Sequence, residues 1–199
     1  MYAYIEGELA MVENDRIVID AGGIGYEIVL GTRDLAGLST IGSHHRIYTY
    51  FQVSENGIGL YGFLSYEDKK FFEKLISVNG VGPKAGIAIL GTMSVNDLQF
   101  AILGEDEKTI CKAPGVGPKL AKRIILDLKD KIDLADAYES RHSSNESDQI
   151  STIKNEVILA MGSLGYSSSD ALKVLSAIDI TEDMRTEDLL REALRKMNI

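Results

Sequence analysis

A six-residue stretch that occurs twice constrains this chain more than any other feature. Asn79-Gly80-Val81-Gly82-Pro83-Lys84 and Pro114-Gly115-Val116-Gly117-Pro118-Lys119 share the run Gly-Val-Gly-Pro-Lys. Apolar residues precede each copy, and a small residue (Gly86 or Ala121) follows the second glycine by four positions. Two helices that cross closely around a tight turn have this pattern. The sequence therefore predicts two copies of a helix-hairpin-helix motif.

Each predicted turn has the chemistry of a phosphate-binding loop. Glycines allow positive φ angles and leave no side chain in the way of a ligand. The second helix of each motif begins at Pro83 or Pro118, a favoured first residue, so its free N–H groups and positive dipole end face the turn. Lys84 and Lys119 lie in that first turn and add a direct charge. Because backbone groups contact phosphates rather than base edges, binding is expected to be independent of DNA sequence.

We predict a DNA-binding site made by both turns and by the basic helix after the second turn. Its residues are Asn79, Gly80, Val81, Gly82, Lys84, Gly115, Val116, Gly117, Lys119, Lys122 and Arg123. A purely structural turn would explain one copy, but two copies with matching flanks and lysines favour phosphate binding. The chain has no Gly-x-x-x-x-Gly-Lys-[Ser/Thr] nucleotide loop, and Gly23-Ile24-Gly25 lacks the third glycine of a dinucleotide site.

The charge distribution permits this prediction although the formal net charge is -9. Residues 1–64 contain 3 Lys/Arg and 8 Asp/Glu, and the segment from residue 133 onwards is also acidic. Residues 65–132 contain 11 Lys/Arg and 9 Asp/Glu, so only this middle segment is net positive. A phosphate responds to the local field, and the acidic remainder is expected to confine DNA to the basic face.

Residues 1–64 are predicted to form a small β-barrel. Turn signals separate short runs that are rich in β-branched and aromatic residues. These runs are Arg16–Asp20, Tyr26–Leu30, Arg46–Val53 and Gly59–Phe63. About five short strands in a segment of this size favour an OB-like barrel, because closure removes exposed strand edges.

Residues 65–135 follow a helical pattern. Ser65 with Asp68, and Ser94 with Asp97, are capping signals before apolar runs of helical spacing. A last helix is predicted from Pro118 to Lys131. This segment includes both hairpin motifs and is expected to be the DNA-binding domain.

The rest of the chain divides in two. Residues 136–150 are polar and without a hydrophobic period, which predicts a flexible linker. Residues 151–199 outline three short amphipathic helices, a domain of roughly 50 residues near the lower limit for independent folding. The fold class is therefore α+β and multi-domain: an OB-like barrel, a central helical domain with two helix-hairpin-helix motifs, and a C-terminal three-helix, UBA-like domain.

The sequence predicts neither a catalytic centre nor a metal or cofactor site. Cys111 is the only cysteine, which excludes a cysteine-based metal cluster. His44 and His45 are adjacent and His142 lies in the predicted linker, so no helical metal-ligand pair emerges. No apolar run approaches the roughly 18 residues that a membrane helix needs, and a cytoplasmic protein is expected.

Taken in order, these segments resemble the RuvA family, the Holliday-junction-binding subunits of the bacterial branch-migration complex. The resemblance extends over essentially the whole chain. The matching stretches are Gly22-Gly23-Ile24-Gly25-Tyr26-Glu27, Leu60-Tyr61-Gly62-Phe63, both hairpin motifs with Ala121 and Arg123, Leu164-Gly165-Tyr166, and Arg191-Glu192-Ala193-Leu194.

The resemblance implies a protein that holds a four-way junction open without chemistry of its own, in recombination and DNA repair. Family members assemble as homotetramers, sometimes paired into octamers, and work with a RuvB-type ATPase and a RuvC-type resolvase. An acidic loop between barrel strands separates the DNA strands at the centre, and here it falls at Glu55 and Asn56. One acid of the usual pair is thus missing. In the third domain, Leu164, Gly165 and Tyr166 are implied to contact the ATPase, although Leu164 could equally belong to the core.

Two other classes of protein remain open from the residues alone. A DNA glycosylase places a catalytic aspartate after a hairpin, and Asp130 and Asp133 lie at about that distance past Gly117. Such enzymes embed one hairpin in a larger helical domain, whereas here two follow a barrel. A hairpin protein that bridges other repair proteins without binding DNA is the second class.

Overall fold

The computed structural model describes residues 2–38, 40–55, 57–132, 149–166, 170–171, 174–175, 177–178, 180 and 184–197. Several residues of the sequence-based predictions lie outside these ranges, namely Asn56, Asp133, His142 and residues 136–148 of the predicted linker. The last two residues of that predicted linker, 149 and 150, are helical.

The N-terminal segment is a closed five-stranded barrel with strand order β1-β2-β3-β5-β4. Its strands are β1 (Tyr4–Val12), β2 (Arg16–Asp20), β3 (Gly25–Val29), β4 (His44–Ser54) and β5 (Gly57–Phe63). Neighbouring strands are antiparallel except β3 and β5, which run parallel. The predicted barrel is confirmed.

The pattern of residue types located four of these strands and missed β1. This strand pairs with β4 through its first half and with β2 through its second. Gly7 lies where both pairings meet, and a β-carbon there would lie 2.1 Å from the Asp20 carbonyl oxygen. The close approach requires glycine, which weakens the strand signal in the sequence.

Apolar side chains at alternate positions along the strands fill the barrel interior. In β2, for example, Ile17 and Ile19 are buried while their neighbours face outward. The barrel core comprises Ile5, Leu9, Ile17, Ile19, Ile28, Leu30, Leu38 and Ile47. A short helix that the sequence pattern did not indicate, α1 (Thr32–Ala36), lies in the connection between β3 and β4.

Five helices follow the barrel. They are α2 (Tyr66–Ile76), α3 (Pro83–Thr92), α4 (Val95–Leu103), α5 (Glu107–Ile110) and α6 (Pro118–Leu128). Both predicted caps form, because the hydroxyl oxygens of Ser65 and Ser94 accept the backbone N–H groups of Asp68 and Asp97. The last helix is shorter than predicted, since Lys129–Lys131 form a 3-10 turn.

Besides the barrel core, a second hydrophobic core joins strand β5 of the barrel to the helices. Phe72 of α2 is fully buried, with its ring centroid 4.8 Å from that of Phe63 and 5.3 Å from that of Tyr50. Tyr61 and Phe63 of β5 belong to the same cluster of buried residues as the helices. Residues on both sides of the predicted domain boundary at residue 64 therefore pack into the same hydrophobic cluster.

The C-terminal segment has its own buried cluster. It contains α7 (Gln149–Ser163) and α8 (Thr186–Met197), and residues 170–171 and 174–175 between them are also helical. Val157, Met161, Leu189 and Ala193 are buried in this cluster, and Phe100 of α4 packs against it. Among the described residues, no single helix could span a membrane; α3 and α4 reach the necessary length only together and are bent by 98°.

Candidate nucleic-acid interface

The two predicted hairpins have the same backbone geometry. Gly80 and Gly115 have φ angles of +96° and +79°, a region that side chains disfavour. In each turn the following valine donates its N–H across the turn, from Val81 to the Val78 carbonyl at 3.0 Å and from Val116 to the Ala113 carbonyl at 3.1 Å. Gly80 and Gly115 thus reverse the chain in the same way in both motifs.

An exposed glycine directly precedes the second helix of each hairpin, at the N-cap position. Gly82 and Gly117 are extended, with ψ of 171° in both, and within the described part of the chain a β-carbon on either would meet no atom within 4 Å. Glycine supplies no side-chain cap, and the first turns of α3 and α6 contain no acidic residue. The helix ends therefore keep the positive potential that attracts an anion.

The two helices of each hairpin cross closely, and buried side chains beneath the turn fix its position. Val81 and Val116 are buried, as the pattern predicted. A β-carbon at Gly86 would lie 2.8 Å from the Phe72 ring, which explains the small residue at this position. The corresponding Ala121 of the second hairpin is fully buried. The valine side chains thus anchor the turns and leave the backbone at the surface.

The two hairpins lie side by side. A β-carbon at Gly80 would lie 3.4 Å from Cδ1 of Leu120, a residue in the first turn of α6. The exposed lysines Lys84 and Lys119 therefore belong to neighbouring helix ends. Leu120 was absent from the predicted site because a contact between two motifs has no local signal in the sequence.

The remaining basic residues of the predicted site are exposed but have acidic neighbours. Nζ of Lys122 lies 3.7 Å from Oε1 of Glu107, and Nε of Arg123 lies 4.0 Å from Oδ2 of Asp127. Exposed ion pairs at these distances contribute little free energy, so they do little to hold the two basic side chains in place. Asn79 is exposed directly before the first turn.

An acidic turn of the barrel acts electrostatically on the first hairpin. The hydrogen bond from Arg16 lowers the pKa of Asp15, and the charge of Lys84 also contributes to this lowering. Asp15 lies in the connection between β1 and β2, whereas Lys84 lies at the start of α3. The sequence separation leaves no signal from which this attraction could have been predicted.

The predicted acidic loop is the tip of the β4–β5 hairpin. Ser54 pairs with Gly57, and its hydroxyl donates to the Gly57 carbonyl at 3.1 Å, so Glu55 lies exposed in a two-residue connection. Val53 and Ile58, which face each other across the hairpin, are 69% and 73% exposed. The sequence pattern did not indicate this exposed apolar pair below the tip.

Comparison with known proteins matches every segment of this fold. Family models match at residues 1–62 (RuvA N terminal domain), 72–130 (SAM-like Helix-hairpin-helix tandem) and 152–198 (RuvA, C-terminal domain). A Lachnospira eligens protein is 41% identical, and the match covers 99% of both chains. The chain belongs to the RuvA family.

Other RuvA relatives match over a similar length. The proteins of Acetivibrio thermocellus and Ruminiclostridium cellulolyticum are 40% and 38% identical, with at least 98% of each chain covered. All three relatives bear the name Holliday junction branch migration complex subunit RuvA. The resemblance seen in the sequence is confirmed, together with the predicted fold class.

The residues predicted to contact a partner lie at the C-terminal end of α7. Gly165 has a φ of +91°, and the N–H of Tyr166 donates to the Met161 carbonyl at 3.1 Å, as in a Schellman cap. Tyr166 is half-buried and packs against the third cluster, whereas Leu164 is 60% exposed. The cap therefore turns Leu164 outward and Tyr166 partly inward in this member of the RuvA family.

Proposed function

We propose that this protein binds four-way DNA junctions as the non-catalytic subunit of a branch-migration complex. One observation supports this most directly: two adjacent hairpins present equivalent exposed helix ends, each with a lysine in the first turn. Such a surface binds two phosphates of a DNA backbone without reading the bases. The names of the RuvA relatives point to the Holliday junction as the DNA.

The partners of the proposed complex follow from the same family. The chain would assemble as a homotetramer, with pairing into an octamer as a further state, so that four pairs of hairpins hold four duplex arms. A RuvB-type ATPase would supply the motor, and a RuvC-type resolvase would act on the same complex in the cytoplasm. Repetition of a weak site in four subunits gives high avidity without any new contact.

Lysine substitutions test the proposed DNA-binding surface. Lys84→Ala and Lys119→Ala together should weaken binding to a labelled four-way junction. They should also reduce the log–log salt slope by about one unit for each phosphate that is no longer bound. Lys70→Ala, which removes an exposed lysine from α2 outside the loops, is the matched control and should leave both quantities unchanged.

The result separates the candidate functions. An unchanged affinity and salt slope in the double variant would contradict binding through the hairpins. If the wild-type protein shifts no junction at moderate salt, it is a protein-bridging module instead. Release of a base from a lesion-bearing duplex by the purified protein would indicate a glycosylase and contradict the non-catalytic role.

A further inference from the structure

The short helix α1 contacts both helices of the first hairpin at the ends opposite the phosphate loop. Asp68 lies in the first turn of α2, and Gly91 lies in the last turn of α3. The loop joins the other ends of these two helices. α3 has ten residues, so about 15 Å of rigid helix separate the contact with α1 from the exposed turn.

The contact with α3 is made between backbones. A β-carbon at Gly31 would lie 3.0 Å from Cα of Gly91, and one at Gly91 would lie 3.0 Å from the backbone nitrogen of Thr32. The Thr32 hydroxyl donates to the Gly91 carbonyl at 2.9 Å. Glycine is unfavourable inside a helix, so its presence near the end of α3 is explained by this close approach.

The contact with α2 is a partly buried ion pair. Nη2 of Arg33 donates to Oδ2 of Asp68 at 2.5 Å, and the Asp68 side chain is 14% exposed. Nε of the same guanidinium lies 3.9 Å from Oδ1 of Asp34. Partial burial limits screening by solvent, so this pair constrains the direction of α2 more than a surface pair would.

We propose that Gly31, Thr32 and Arg33, together called the α1 clamp, are positioning residues for junction selectivity. The clamp fixes the first hairpin relative to the barrel, and the barrel carries Glu55 at its β4–β5 tip. A linear duplex needs only the phosphate loops. A four-way junction must meet the loops and the acidic tips at the same time, so its binding depends on the angle between them. This inference rests on the proposed function.

Substitution of Gly91 tests the clamp. Gly91→Leu places a side chain between α3 and α1 while favouring the helix. Affinity for a four-way junction should fall about tenfold, with affinity for a linear duplex of the same arm sequence within about twofold of wild type. Gly162→Leu is the matched control, because Gly162 also lies in a helix and a β-carbon there meets no atom of the described residues within 4 Å. It should change neither affinity.

A milder pair of variants covers the case in which Gly91→Leu does not fold. Thr32→Val removes the hydrogen bond to Gly91 at nearly constant volume and should lower junction affinity selectively, whereas Thr32→Ser should retain it. Equal losses on both DNAs would show a merely structural role and overturn the proposal. The proposal would also be overturned if Gly91→Leu and Thr32→Val both retained the wild-type preference for the junction. A wild-type protein without junction preference would overturn the proposed function and the role of the clamp with it.

Discussion

At the scale of the residue, the four glycines of the two hairpin turns (the proposed phosphate loops) have two different backbone conformations. Gly80 and Gly115 have positive φ angles and make the turn itself possible. Gly82 and Gly117 are extended and face open space, so alanine fits there in the free protein. We propose that their lack of a side chain is needed only when a phosphate approaches. Substitution can therefore separate the fold of the loop from its function.

We expect the variant with both Gly82→Ala and Gly117→Ala to unfold at the same denaturant concentration as wild type but to bind junction DNA more weakly. The new methyl groups occupy the approach to the helix ends. Gly80→Ala is the comparison, because an alanine in the left-handed region costs about 1–2 kcal/mol of folding free energy. Chemical denaturation and gel-shift titration measure the two effects. Wild-type affinity of the double variant would contradict binding at these helix ends.

Glu55 is the residue through which we propose that the barrel influences strand separation. Glu55→Gln removes one negative charge at the exposed tip and keeps the side-chain shape. The ratio of junction affinity to duplex affinity should fall several-fold, because the central repulsion disappears while the phosphate loops still bind. Asn56→Asp should raise the same ratio. A competition assay measures it, and no change in either variant would reduce the tip to a simple turn.

At the scale of the element, α1 contains a partly buried carboxyl whose ionisation costs folding free energy. The sequence does not reveal this burial. Asp34 is 12% exposed, and burial raises its pKa above the ordinary value of 3.8 despite the neighbouring Arg33 guanidinium. Burial likewise raises the pKa of Asp68. The carboxyls of Asp34 and Asp68, at the junction of α1 and α2, are thus partly desolvated. Their ionised form opposes folding.

The pH dependence of stability follows from the raised pKa values of these carboxyls. A carboxyl whose pKa is raised in the folded state costs stability above that pKa, and the cost disappears below the ordinary value. Asp34→Asn should therefore unfold at higher denaturant concentration than wild type at pH 7, with the difference vanishing below about pH 4. The Leu64 N–H, whose hydrogen bond lowers the Asp34 pKa, can still donate to the amide oxygen. A variant less stable at pH 7 would show that pairing with Arg33 outweighs desolvation.

At the scale of the whole molecule, two hydrophobic cores serve the proposed DNA-binding part and a third serves the C-terminal segment. The barrel core and the core shared by β5 and the helices end at Ile132. The third cluster lies beyond residue 149, and Phe100 packs against it. A separate core allows the C-terminal segment to be removed without opening the interior of the rest.

Truncation after Ile132 should leave junction affinity within about twofold of wild type and abolish stimulation of a RuvB-type ATPase. Leu164→Ala should weaken that stimulation without loss of stability, since the side chain is exposed. Tyr166→Ala should reduce both the ATPase stimulation and the stability of the C-terminal segment, because Tyr166 packs against the third cluster. Tyr166→Phe, which keeps the ring, is its control. ATPase assays with the partner measure these effects. Full stimulation by the truncated chain would assign the segment another role.

Local information was sufficient for much of this architecture. The caps at Ser65 and Ser94, the two glycine turns and the buried Val81 and Val116 each depend on residues within one or two helical turns. Repetition of one motif strengthened the inference, because chance similarity would not extend to flanks and lysines. The order of these local features also led to the RuvA family, which the comparisons confirmed.

What the sequence by itself determined was therefore the fold class, the two hairpin turns and the family, whereas it missed β1 and α1. Only the tertiary structure decided how the elements meet: the closure of the barrel through β1, the core shared across residue 64, the contact of Leu120 with Gly80, and the placement of α1 against Gly91 and Asp68. These contacts join residues far apart in the chain, and the residue types involved are common. Local propensity and periodicity do not encode such pairings, because they arise from the packing of complete elements against each other.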